Sequence, residues 1–233
     1  MTTPSYDDLW HGAWGDIQRM GPVHRHTREG LVRTVSALDV HTVLDAGCGS
    51  GDNLAALARL NRYTLVGTDI SREALAIATR RVPNARFTVL DLQREALKER
   101  FDLVVCIQVI EHLLDDVAGL RNIAGMTGRY AFISTMQGRM RRSEIAIGHV
   151  RNYSAVELQR KVELVGLRSV KVSGWGFPFY SPFYRSVSEW LPGGPPLGPM
   201  GRGGRLIARL LYQLYRLNWP GRGDVISILA CRP

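Results

Sequence analysis

The sequence lacks any apolar run approaching the ~20 residues needed to cross a bilayer; its best, Leu103–Ile107, has the length of one buried strand. The stretch from Met1 to Asp8 has neither a basic start nor an apolar core, so no secretory signal is expected there. Cysteine is scarce. Cys48, Cys106 and Cys231 are an odd number, at spacings that match neither a zinc knuckle nor a disulfide framework. A reducing, cytoplasmic setting is therefore expected. Acids are outnumbered, leaving a formal net charge of +9 over 233 residues. That excess admits nucleic acid, anionic lipid or an anionic small substrate and selects none of them. No internal repeat is visible. The hydrophobic share, 45%, excludes wholesale disorder, and the length suits one domain.

From Thr42 onward, short apolar segments alternate with helical patterns. Strands are expected at Thr42–Asp45, Thr64–Thr68, Arg86–Leu90, Leu103–Gln108, Tyr130–Thr135, Leu167–Val172 and Asp224–Cys231. Helices are expected at His26–Leu38 and Asp52–Asn61, with Ser71 capping a third and Ser154 a later one. Regular alternation of this kind predicts an α/β layered fold on a mainly parallel sheet. Residues 1–40 read as an N-terminal lid, 41–177 as the core, 178–223 as an insertion and 224–233 as the last strand. Within the insertion, Pro192–Gly204 is too rich in glycine and proline for helix or central strand. Gly204–Asn218 then shows an apolar stripe of Leu206, Ile207, Leu210, Leu211 and Leu214, with Arg205, Arg209, Gln213 and Arg216 opposite.

The chemistry concentrates at strand ends. Val43–Gly51 runs a buried strand into Gly47, Gly49 and Gly51, alternate glycines that let backbone approach a ligand closely. The second strand ends at Asp69, placed to accept both hydroxyls of a ribose. The third ends at Asp91-Leu92, where a carboxylate can receive an adenine amino group. A dinucleotide would crowd its pyrophosphate beside Asp45, two residues before the first glycine, whereas a cationic amino group would be welcome there. A ligand with an ammonium end and an adenosine end is S-adenosylmethionine.

Val43–Gly51, Gly67–Ser71, Asp91-Leu92 and Phe101–Leu113 together resemble the ordered motifs of class I S-adenosylmethionine-dependent methyltransferases, over roughly residues 43–166. The resemblance implies a Rossmann-like, seven-stranded, mostly parallel sheet in the order 3-2-1-4-5-7-6, the last strand reversed, with helices on both faces. It also implies a cofactor site drawn from Asp45, Gly47, Gly49, Gly51, Asp69, Ile70, Asp91, Leu92 and Gln108, with Ile70 beside the adenine.

Methyl transfer from a sulfonium asks the protein for proximity, orientation and, with a hydroxyl acceptor, a base. The candidates are His149, in Gly148–Ser154 after the fifth strand, and His112, in Ile110-Glu-His-Leu after the fourth; each also admits a purely structural role. Arg151 and Tyr153 share the His149 loop; Arg139, Arg141 and Arg142 are by default solvated loop charge, the alternative being contact with an anionic acceptor. Some O-methyltransferases bind metal through Glu-x-x-Glu-His and a later histidine. Here Gln108 replaces the first carboxylate, so no metal is expected. The reading is a methyltransferase acting on a small-molecule acceptor, most simply a hydroxyl of a secondary, glycosylated or lipid-linked metabolite, with the aromatic run after Trp175 walling the acceptor pocket. The alternatives are an RNA 2′-O-methylating enzyme, disfavoured by the absence of an RNA-binding appendage, and a non-catalytic cofactor-fold subunit. The aromatics Tyr6, Trp10 and Trp14 either close the lid or pack it. The Gly204–Asn218 helix is expected to pack as a substrate lid, the alternative being contact with an anionic membrane.

Overall fold

A computed structural model describes residues 15–187 and 200–233. Tyr6, Trp10 and Trp14, with most of the glycine- and proline-rich stretch, lie outside the described residues. Two N-terminal helices, α1 (Gly15–Met20) and α2 (Pro22–Ser36), precede β1 (Thr42–Ala46), α3 (Asp52–Ala58), β2 (Thr64–Asp69), α4 (Arg72–Arg81), β3 (Arg86–Val89) and β4 (Phe101–Ile107). A single 3-10 turn, Ile110–His112, leads into α5 (Asp116–Met126) and β5 (Thr127–Met136). Then follow α6 (Arg142–Ala146), α7 (Ala155–Leu164), β6 (Arg168–Trp175), a kinked helical turn at Phe179–Tyr184, α8 (Arg202–Tyr215) and β7 (Val225–Cys231).

The seven strands form one sheet in the order β3-β2-β1-β4-β5-β7-β6. β7 runs antiparallel to both neighbours, while the other pairs are parallel. Each central strand alternates its side chains between two apolar layers. Val43, Leu103 and Val105 face Leu31 and Val35 of α2, Leu54 and Leu57 of α3 and Leu75 of α4. Leu44, Val104 and Cys106 face Leu120 and Ile123 of α5 and Leu158 and Val162 of α7. The three cysteines are free and buried, as small apolar packing groups.

The helix starts follow local chemistry. Ser71 caps α4 by accepting the Ala74 N–H at 3.1 Å, and Ser154 caps α7 by accepting that of Glu157 at 3.1 Å. The predicted helix at His26–Leu38 begins four residues earlier, with Pro22 in its first turn, where proline's missing N–H costs nothing. α8 corrects two expectations. It starts at Arg202, taking in Gly203 and Gly204, because first-turn residues need no intrahelical N–H bond and Asp16 holds the preceding Met200 N–H at 2.9 Å. Its packed face is also displaced from the expected stripe. Ala208 and Tyr215 are buried with Leu211 and Leu214 partly so, whereas Leu206, Ile207 and Leu210 stand exposed. The aromatic rings decide this. Tyr215 fills a cluster with Trp175, Tyr180 and Tyr184, and Tyr212 stacks on His26 at 4.5 Å.

This partition gives a sharp stability contrast. Truncating Leu31→Ala on α2 should cost about 2–5 kcal/mol, while Leu206→Ala should stay within about 0.5 kcal/mol of wild type. Urea titrations of the two variants check it.

Candidate active site

The sheet's carboxyl-terminal edge is held together by backbone bonds between two parallel strand ends. Gly47 and Cys48 donate their N–H groups to the Thr68 carbonyl at 2.7 and 2.8 Å, and the Gly49 N–H reaches Asp69 Oδ2 at 2.8 Å. The other Asp69 oxygen accepts the Ser71 N–H at 2.9 Å. One aspartate thus joins the β1 turn to the start of α4. Gly47 has φ +80°, and a Cβ there would sit 2.3 Å from Val109 Cγ2, so only glycine fits.

A cavity opens over this turn. Of the residues singled out in the sequence, Gly47, Gly49, Asp69, Ile70, Asp91, Leu92 and Gln108 from the cofactor set and the base candidate His112 line it. Ile70 is 45% exposed, an apolar face open for a flat ring. Asp91 is tethered by its own turn, accepting the Gln93 N–H at 3.0 Å. Asp45 and Gly51 do not line the cavity. Asp45 is buried behind the turn and Gly51 faces Ala78 of α4. Burial, with Asp69 adding to it, pushes the Asp45 carboxyl up to about 7. Neither of its oxygens completes a hydrogen bond of normal geometry, although the Asn53 side chain lies near. The far wall comes from the N-terminal helices, within the segment 1–40 read as a lid: Gln18, His24, Thr27 and Arg28, of which the sequence pattern singled out neither Gln18, His24 nor Thr27. The signal available was the basic, His-containing face of the segment at 24–28, which has no short motif.

A second cavity shares Gln18, His24, Gln108 and His112 with the first and continues past His149. Its wall is largely apolar or aromatic, from Ile17, Val23, Met136, Ile147, Tyr180 and Tyr184, with Arg141, Glu144 and Arg185 as its charged members. Arg185 is buried and already paired with Glu144 and Asp224. Both tyrosines belong to the aromatic run after Trp175. Arg185 and Glu144 were missed, because an ion pair 41 residues apart leaves no local pattern.

At the junction, the rings of His112 and His149 meet edge to face, 4.6 Å apart. Burial holds His149 down at about 4 and His112, which also feels His149, at about 3. Both are therefore neutral near pH 7. Glu111 is fully buried and pushed up to about 7 by desolvation, and one of its oxygens accepts the Thr135 hydroxyl at 2.7 Å. Ligand-type atoms of Glu111, His112 and His149 lie within 4.8 Å of one another. Gln108, at φ +56°, holds a left-handed conformation costly for a non-glycine residue, and its amide nitrogen is buried without a hydrogen-bond partner.

The loop carrying His149 is rigidly anchored. Arg151 donates to the Leu113 and Leu114 carbonyls at 2.7 and 2.9 Å, and the buried Tyr153 hydroxyl lies 2.7 Å from Asp116 Oδ2. Lys161 reaches the same oxygen at 2.6 Å. Arg151 and Tyr153 thus fix the loop and do not line either cavity.

The residues present fit S-adenosylmethionine: a cradle that a Cβ would fill, a carboxylate for a vicinal diol, an open apolar face beside it and a further acid at the next strand end. Residues 43–128 match the family model of a methyltransferase domain. Ubiquinone biosynthesis O-methyltransferase from Ralstonia nicotianae is 29% identical over 141 residues, 56% of this chain and 59% of that protein. Its namesake from Hahella chejuensis is 30% identical over 142 residues, 56% of this chain and 59% of that protein. The chain thus spans about three fifths of the length of these curated relatives. Magnesium protoporphyrin IX methyltransferase from Synechocystis PCC 6803, solved with S-adenosylmethionine bound, shares the fold at a TM-score of 0.63 and 17% identity, covering 99% of this chain and 93% of that one. The motifs, the strand order and the domain match agree: residues 43–128 carry a methyltransferase domain, and the sheet has the strand order of the class I S-adenosylmethionine-dependent methyltransferase fold.

Proposed function

We propose that this protein uses S-adenosylmethionine to methylate a hydroxyl of a small, largely apolar and aromatic acceptor. The observation that carries this reading is the meeting of the two cavities at Gln108 and His112, with His149 on the acceptor side. The relatives named as O-methyltransferases support oxygen as the methylated atom. A wall of Met136, Tyr180, Tyr184 and Val23 suits an aromatic ring and offers a phosphate backbone little, which disfavours RNA.

In the proposed reaction, the bound cofactor supplies a sulfonium-activated methyl group. Asp69 accepts the ribose hydroxyls while still holding the Gly49 and Ser71 amides. The Gln108 amide, with no protein partner for its nitrogen, is available to donate to a group at the junction. His149, neutral at physiological pH, takes the acceptor's proton as charge leaves its oxygen. The ionised form of Glu111, close to both imidazoles, stabilises the imidazolium that results.

A second reading is favoured by the same 4.8 Å grouping: Glu111, His112 and His149 as ligands of a divalent cation that acidifies the hydroxyl. One carboxylate among three ligands makes a weak site for a hard cation, and the metal-free base is the reading taken here.

Asp69→Ala should weaken S-adenosylmethionine binding by about 30- to 1000-fold, measured by calorimetry. Unchanged affinity would remove the cofactor assignment. His149→Gln should lower turnover by about 10²–10⁴-fold with cofactor affinity within about threefold of wild type. A wild-type rate would reduce His149 to scaffold. Treatment with EDTA should leave turnover intact; loss restored by added magnesium or zinc would establish the metal reading in its place.

A further inference from the structure

α8 divides its circumference into three arcs. One arc packs inward. Ala208 and Tyr215 are buried, the Tyr212 hydroxyl donates to Glu29, and the Tyr212 carbonyl lies 2.9 Å from His26 Nε2. The start of the helix is tied to α1, where Arg205 pairs with Asp16 at 3.6 Å. A second arc carries the exposed Arg202, Arg205, Arg209 and Arg216. The third arc is apolar and in water: Leu206, Ile207 and Leu210 are 57%, 58% and 62% exposed. Just past the helix, Leu217 at 63% and Trp219 at 55% extend the exposed apolar surface.

Scattered apolar residues on a surface need no explanation, but these recur at helical spacing beside a strip of arginine. We propose that the exposed face of α8 docks on an anionic lipid bilayer. Leu206, Ile207 and Leu210 enter the acyl boundary, and the flanking arginines meet headgroup phosphates.

Charge selects this occupant. No acid occurs from Pro192 to Gly223, while Arg202, Arg205, Arg209, Arg216 and Arg222 do. The two acids that touch the helix, Asp16 and Glu29, are already engaged by Arg205 and by Tyr212. A second copy of the chain docking symmetrically would bring like charges together, and a nucleic acid would leave the leucines in water. The helix has 14 residues, and among the described residues no helix is long and apolar enough to cross a membrane, so the contact lies in the plane of the interface. Trp219, packed against Phe177 at 5.4 Å, suits the headgroup level. The consequence for the site follows from what α8 packs on. α1 and α2 supply Gln18 and His24 to both cavities, so a docked α8 sets the cavity-lining helices beside the lipid. The docking itself does not depend on the reaction catalysed.

Co-sedimentation of the full chain with vesicles tests it. Equimolar phosphatidylcholine and phosphatidylglycerol vesicles should bind at least about tenfold more tightly than phosphatidylcholine alone, with binding weakened by added salt. The double variant Leu206→Asp/Leu210→Asp should lose that binding about tenfold or more, as should Arg209→Glu/Arg216→Glu, with far-UV circular dichroism and urea midpoint unchanged. Absent binding, equal binding to neutral vesicles, or wild-type binding by both folded variants would overturn the proposal. So would a lipid-free dimer abolished by Leu206→Asp/Leu210→Asp without any vesicle binding, which would make the face a contact between copies.

Discussion

The site depends on one constraint: the β1 turn is closed onto the end of β2 by backbone amides. Thr68 and Asp69 together receive the N–H groups of Gly47, Cys48 and Gly49. Because β1 and β2 are parallel and in register from Thr42↔Thr64 to Ala46↔Thr68, both strands end at the same level. The glycine turn and the ribose-type acid are therefore neighbours by topology, at the sheet edge where open α/β folds leave a crevice. Every other group attributed to cofactor binding lies on strand ends that continue this edge, Asp91 after β3 and Gln108 after β4.

The second cavity is built differently. It draws on α1, α2, the turn at Phe179–Tyr184 and the loop around His149; the aromatic cluster of Trp175, Tyr180, Tyr184 and Tyr215 ties that turn to β6 and α8, and His26 of α2 meets it at Trp175. Its titratable groups are buried, and their protonation follows from that. The histidines are held neutral, while Glu111 beside them is pushed up to about 7.

Most of the sheet was legible in the sequence, because a strand buried on both faces is written as a run of Val, Leu and Ile between turn residues, as in Leu103–Ile107. The cofactor side was legible for a related reason: its residues sit one or two positions after those runs. Asp45 shows where this fails. Its position in the motif is plain, but not that its side chain turns behind the turn. Helix α8 fails for another reason. Its sequence contains apolar residues over more than half its circumference, and periodicity alone does not say which arc finds a partner. Tyr212 and Tyr215 settle that through contacts to residues almost two hundred positions away, His26 and Glu29 among them. The burial of His149 and the Arg185 ion pairs are likewise products of tertiary packing.

The central claim is that this strand-end turn receives S-adenosylmethionine and not a dinucleotide. Calorimetric titration of the purified chain with S-adenosylmethionine and, separately, with NAD tests it most directly. The account predicts saturable one-to-one binding of S-adenosylmethionine, competed by S-adenosylhomocysteine, and no heat of binding with NAD. Saturable binding of NAD with none of S-adenosylmethionine would contradict it.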